Sequence, residues 1–189
     1  MYLYENALIE DINRLFVNSN VKAMISDSLD ESLRRSAAEN NDITTLPLVT
    51  LVGGDWELND TSFYNLMHGS ENHRIYDVAK AVSNISFTPS YDMYIAASSS
   101  RECDMLTREL IFHYYQYPTL TVKIPYGLNT IHTFNIIFNR SVRKYTRPGL
   151  VYRIISFTLN GAYLWHNNSM NVIKKVDVDV EERIELTNV

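Results

Sequence analysis

Residues 85–97 alternate without a break: Ile85, Phe87, Pro89, Tyr91, Met93, Ile95 and Ala97 share one parity, and Ser86, Thr88, Ser90, Asp92, Tyr94 and Ala96 the other. Side chains of an extended chain point alternately to opposite faces, so this pattern predicts a long, half-buried strand. Such a strand needs hydrogen-bonding neighbours and a cover for its apolar face, which commits the chain to a sheet with something packed on it. Pro89 has no N–H for a ladder, so the strand is expected to bend there or to lie at an edge.

Before this strand the apolar residues recur at helical spacing. Tyr4, Leu8, Ile12, Leu15 and Phe16 form one series, and Val21, Ile25, Leu29 and Leu33 form a second after the polar break at residues 18–20. Together they predict two amphipathic helices, or one kinked helix, within residues 1–40. Residues 46–52 are apolar and β-branched, which predicts a buried strand; Gly53 and Gly54 are expected to end it in a tight turn, with Asp55 as a turn or cap residue. Residues 57–81 show no sustained period and read as a long loop, a common place for binding.

The segment after the long strand contains the only cysteine, Cys103, beside three adjacent serines. Ser99 and Glu102 have capping-box spacing, and Cys103, Leu106, Leu110, Ile111 and Tyr114 then form one apolar stripe, so the serines open a helix. A nucleophile elbow would need small residues flanking the serine, which this stretch lacks. Cys103 and His113 stand ten residues apart on that helix, about 15 Å along its axis, too far to pair directly. Cys103 therefore reads as a structural thiol.

Beyond Pro118 the chain alternates again. Leu120, Val122 and Ile124, then Phe134, Ile136 and Phe138, then the run from Leu150 to Trp165 predict antiparallel strands, with turns at Gly127 and Gly149. Val176, Val178 and Val180 alternate with Asp177 and Asp179. With Glu181 and Glu182 following, this segment is expected at a sheet edge or laid on a neighbouring subunit, where it would determine assembly. The expected fold is a single α+β domain over residues 1–189. A helical segment (1–40) precedes a mainly antiparallel sheet (46–189) with a helix packed on one face and the loop 57–81 inserted.

Composition removes several functional classes. The formal charge is −5, which opposes nonspecific adhesion to nucleic acid or anionic membrane. One cysteine cannot form an intramolecular disulfide, no apolar run is long enough for a membrane span, and the N-terminal residues lack the pattern of a signal peptide. Synthesis in the cytoplasm is expected. His68, His73, His113, His132 and His166 form no recognised ligand pair, and residues 53–56 lack the length and lysine of a phosphate loop. No catalytic, metal or cofactor site is expected. A different class, a small metal-dependent hydrolase or nuclease, would rely on Asp55, Glu57 and Asp60, and an adaptor would bind a host protein through the loop 57–81. The one local concentration of charge is Arg140, Arg143, Lys144 and Arg147, with Tyr145 inside it. In an acidic chain this reads as a hairpin contacting an acidic protein neighbour in preference to DNA.

The order of elements resembles the tail terminator, or tail completion, proteins of long-tailed bacteriophages. The resemblance lies in a helical start, an extended segment with its exposed loop (residues 46–56), the long strand of residues 85–97, the helix from Arg101, and then meandering strands. It implies a non-enzymatic virion structural protein of the tail or neck, found in a homo-oligomeric ring, commonly hexameric. Such a ring caps the tail tube and meets head-connector or sheath proteins, without nucleic-acid readout or membrane. The implied interface residues are Trp56, Arg140, Arg143, Lys144, Arg147, Val176, Val178 and Val180. The helical N-terminus and the loop 57–81 depart from the usual small terminator and leave room for another neck or baseplate role.

Overall fold

The computed structural model describes residues 2–39, 45–59, 82–123 and 131–167. Its elements run α1 (Tyr2–Leu15), β1 (Lys22–Ile25), α2 (Leu29–Glu39), β2 (Leu48–Leu58), β3 (Val82–Ala97), α3 (Ser100–Gln116), β4 (Thr119–Lys123), β5 (Ile131–Arg147), β6 (Leu150–Asn160) and β7 (Ala162–Asn167). The strands form one sheet in the order β1-β2-β3-β6-β5-β4, and β7 also pairs with β3. All pairings are antiparallel except β1 with β2. The chain is thus of the expected α+β class. Among the described residues no helix is long and apolar enough to cross a membrane.

The alternation of β3 is realised as read. Phe87, Tyr91, Met93 and Ile95 are buried on the inner face, where they meet Leu8 and Ile12 of α1 and Cys103, Leu106 and Leu110 of α3 in one core. Two helices share this face, where the sequence suggested one. Helix α1 touches both outermost strands, β1 and β4, so the sheet curls around it. Polar bonds fix its position: the Tyr4 hydroxyl donates to the Tyr163 carbonyl (3.1 Å) and accepts from the Tyr163 N–H (2.7 Å), and Asp11 meets His113 Nε2 of α3 at 2.8 Å. The Tyr91 hydroxyl donates to buried Glu5 at 3.4 Å.

Two readings are corrected. The series Val21, Ile25, Leu29, Leu33 is not one helix, because Lys22–Ile25 forms β1, parallel to β2, and only then does α2 begin. The Ser28 hydroxyl accepts from the Glu31 N–H at 3.2 Å and so caps α2, which crosses over between the two parallel strands. Helix α2 covers the outer face, packing Leu29 and Leu33 with Met24, Leu48, Ala96, Tyr152 and Ile154. The second correction concerns Gly53 and Gly54. Strand β2 runs through both to Leu58, and the register slips between Gly53 and Trp56 as a bulge where a turn was expected. A Cβ at position 54 would come within 2.7 Å of Ser90 Oγ, so a side chain there would have to displace the Ser90 hydroxyl.

Pro89 behaves as its chemistry requires. The pairing of β3 with β6 starts at Ser90, and its pairing with β7 ends at Phe87 opposite Ala162, so Pro89 sits where one partner strand gives way to the other. Gly161, between those partners, has φ +82°, a left-handed conformation that lets the chain break without a Cβ penalty. The loop expected over residues 57–81 begins later than read, because Glu57 and Leu58 still pair with β3 as the end of β2; residues 60–81 with His68 and His73, Ile124, Gly127, and Val176, Val178 and Val180 lie outside the described residues.

Candidate interaction surface

Both β2 and β5 carry a bulge, and both bulges open from the same cross-strand row. Gly53 pairs with Tyr91, Tyr91 with Phe157, and Phe157 with Phe138; the β2 register slips just after Gly53 and the β5 register just after Phe138. The slips leave a cleft of about 330 Å³ whose wall includes Gly53, Gly54, Asp92, Asn139, Arg143 and Ser156, with Asp55 also lining it. Inside the cleft Ser156 donates to Asp92 at 2.5 Å, and Arg143 Nη2 stands 3.4 Å from Ser156 Oγ and 3.6 Å from Asp92 Oδ2. The Ser90 hydroxyl donates to the Asp55 carbonyl across the β2 bulge at 2.5 Å.

A row of tyrosines adjoins the cleft on the outer face. Tyr145 stacks on Tyr152 with centroids 5.2 Å apart, and Tyr94 tilts against Tyr152 at 6.2 Å. The Arg147 guanidinium lies 5.6 Å over the Tyr152 ring and binds Asp30 of α2 at 2.8 Å. Tyr152 is buried, whereas Tyr145 is 41% exposed. Burial first, then the charge of Asp92, pushes the Tyr94 hydroxyl pKa up, so its phenol stays neutral through the physiological range. Aromatic bodies with polar tips, interleaved with arginine, are the side chains most enriched at protein interfaces.

The basic hairpin is therefore split by its own strand. Arg143 and Arg147 belong to the outer face with the tyrosines, while Lys144 turns the other way and donates to Ser100 Oγ at the start of α3 (2.6 Å). Arg153, opposite Lys144, pairs with Asp104 of α3 at 2.6 Å. The Arg140 side chain lies outside the described residues. Trp56 is elsewhere on the sheet, on β2 past the bulge, edge-on to Phe87 at 6.0 Å and 47% exposed. Tyr94, Asp92, Ser156 and Tyr152 were missed as site residues; each occupies an ordinary strand position whose polar or aromatic parity faces outward.

Ser99 and Cys103 both take structural positions around the start of α3. Ser99 caps α3, accepting from the Glu102 N–H at 3.3 Å, while Glu102 accepts from Ser98 at 3.2 Å. Cys103 is fully buried with its Sγ donating to the Ile95 carbonyl, and burial pushes its thiol pKa up, away from the thiolate a nucleophile needs. Among the described residues no three His, Cys, Asp or Glu side chains converge as a metal site; Asp55 and Glu57 lie in exposed β2, and Asp60 is not described. Ellman's reagent is expected to leave the native thiol untouched and to react fully in urea. Cys103→Ala should cost about 1–2 kcal/mol, as a small loss of core contacts, without changing assembly. Rapid labelling of the native protein would contradict this burial.

This geometry defines a class: an α+β chain whose curled sheet encloses two helices and leaves a tyrosine–arginine face outside. No protein-family model matches the chain, and no curated protein sequence matches it significantly. Its function is read from these residues alone.

Proposed function

We propose that the chain is a non-enzymatic assembly subunit of a long-tailed bacteriophage virion, a tail terminator or completion protein whose copies form a ring on the tail tube. The observation that carries this reading is the part of the outer sheet face beside α2, where half-exposed Tyr145 stacks on Tyr152, Arg147 lies over the same ring, and Arg143 lines an open cleft. A rigid sheet presenting aromatic and arginine side chains supplies preorganised contact area, and symmetry would repeat each contact around a ring. The order of elements, with its long hairpin and strand-helix-sheet core, supports the same reading.

Sedimentation equilibrium on the purified chain tests it, together with electron microscopy of tail tubes mixed with the chain. The expected result is a closed multimer, or density at tube ends. A strict monomer that never binds tubes, or metal-dependent turnover of a phosphodiester or ester substrate, would overturn the reading.

The hairpin charges give a graded test. Arg143, Lys144 and Arg147 replaced together by Gln should leave the far-UV circular dichroism unchanged, because the two ion pairs and the one hydrogen bond to Ser100 that they break are solvent-exposed and contribute little to stability. Docking onto the tube should weaken, and the residual binding should depend less on salt than that of the original chain. Tight binding of the unaltered chain to bare duplex DNA at physiological salt would count against a protein partner.

A further inference from the structure

The sheet leaves a strand edge open on each side. On one side β1 accompanies β2 only as far as Leu51, so the edge of β2 from Val52 to Leu58 has no strand beside it among the described residues. On the other side β4 accompanies β5 from Ile131 to Asn135, with a last bond from the Ile136 N–H to the Pro118 carbonyl, and the rest of the β5 edge up to Arg147 is open in the same sense. Residues 53–58 and 141–147 are all exposed. The unpaired N–H and C=O groups of such edges are templates for another strand.

The two edges match in direction and on both faces. Strand β2 pairs antiparallel with β3, β3 with β6, and β6 with β5, so β2 and β5 run in opposite directions, and a copy set alongside without inversion brings its β5 antiparallel to β2. On the outer face the β2 edge carries Asp55 and Glu57, whose carboxylates have no ion-pair partner among the described residues, and the β5 edge carries Arg143 and Arg147. On the inner face Trp56 and Leu58 stand beside Pro89 and Phe87, and Val142 stands beside buried Ile155; all three are apolar yet exposed. Arg147 also holds Asp30, and Arg143 lies 3.6 Å from Asp92, but Lys144 meets only the neutral Ser100 hydroxyl, so the β5 edge keeps an excess of positive charge. Two β5 edges set together would oppose these cations, and two β2 edges would oppose the acids, which favours pairing of unlike edges.

We infer that copies of this chain join through these edges, residues 52–58 of one pairing antiparallel with residues 141–147 of the next; this rests on the assembly reading and supplies its contact between copies. Each copy offers one edge of each kind, so the contact repeats from copy to copy as a ring requires. The edges are not level. Val52 stands opposite Asp92, and Val142 opposite Ile155, which faces Met93; from that row the two edges run toward opposite ends of β3. The joined strands therefore lie oblique to the ring axis, as strands do in a closed sheet.

Charge reversal of one edge at a time tests this on the full chain, with sedimentation velocity as the readout and far-UV circular dichroism as the control for folding. Asp55→Arg with Glu57→Arg makes the β2 edge cationic, and Arg143→Glu with Arg147→Glu makes the β5 edge anionic; Arg147→Glu alone replaces the second pair if that pair disturbs the fold. Each variant by itself is expected to sediment as a monomer at concentrations where the unaltered chain is a multimer. Mixing the two variants in equal amounts should restore the multimer, because the reversed edges then match each other and so do the unaltered ones. All four substitutions in one chain should restore it as well. Multimers indifferent to both reversals, or no recovery on mixing, would overturn the edge contact and leave the ring reading standing. Charge-dependent multimers that never bind tail tubes would uphold the edge contact and overturn the terminator role, and a strict monomer of the unaltered chain would overturn both.

Discussion

Leu8→Ala is expected to lower the unfolding free energy by about 2–5 kcal/mol, the range for emptying a large aliphatic side chain from a packed core. Leu8 is 0% exposed and belongs to the cluster that joins α1 to β3, α3 and β5. The site has little freedom to collapse. Helix α1 is pinned along its length by Tyr4 to Tyr163, Glu5 to Tyr91 and Asp11 to His113, and it touches both terminal strands of the sheet. A helix held at so many points cannot slide inward to fill the cavity, so the cost should fall in the upper part of that range. Urea denaturation followed by circular dichroism measures it, with exposed Glu10→Ala on the same helix as the control. A loss under about 1 kcal/mol, typical of surface substitutions, would mean that α1 is not a structural plug.

Alkaline pH should destabilise the fold steeply, beginning near pH 10. Tyr91 and Tyr114 are buried, and burial is the largest cause raising both hydroxyl pKa values; the Glu5 carboxylate adds to the first and Asp11 to the second. In the unfolded chain these phenols ionise near the ordinary value of 10.0, whereas in the folded chain they keep their protons to higher pH. The unfolded state then binds fewer protons than the native one, so stability falls as pH rises. Their contribution is fully present below the unfolded value and declines above it, with a limiting slope of about 1.4 kcal/mol per pH unit for each group. Thermal melts from pH 8 to pH 12 should show a plateau and then a fall, and Tyr91→Phe should make the fall shallower. An unchanged slope in that variant would show that Tyr91 ionises freely in the native state.

Much of the local structure is legible in the sequence. The alternation of residues 85–97, the helical spacing of Tyr4, Leu8 and Ile12, and the Ser99–Glu102 cap each record a backbone state together with the burial of one face. Those properties belong to a few neighbouring residues. The error at residues 21–33 has the same origin: Val21, Ile25, Leu29 and Leu33 keep a spacing of four while the chain passes from strand to helix. The boundary signal was present in Ser28 and Glu31, which have capping-box spacing.

The site was legible only in part. Arg143 and Arg147 stand out as charge, but Asp92, Ser156, Tyr94 and Tyr152 carry no local mark that distinguishes them from the polar side of any strand. Gly53 and Gly54 were equally ambiguous, since a glycine pair serves a turn or a bulge. Whether β2 turned back or continued depended on β3 offering partners as far as Phe87. The sequence by itself determined the helical stripe of α1, the cap that opens α3 and the parity that β3 buries, because those follow from the side chains of adjacent residues. Tertiary structure alone decided that the bulges of β2 and β5 share one row and that Arg143 meets Asp92. Residues so far apart in the chain are brought together by the register of hydrogen bonds between strands, and that register is set by the whole sheet closing around α1 and α3.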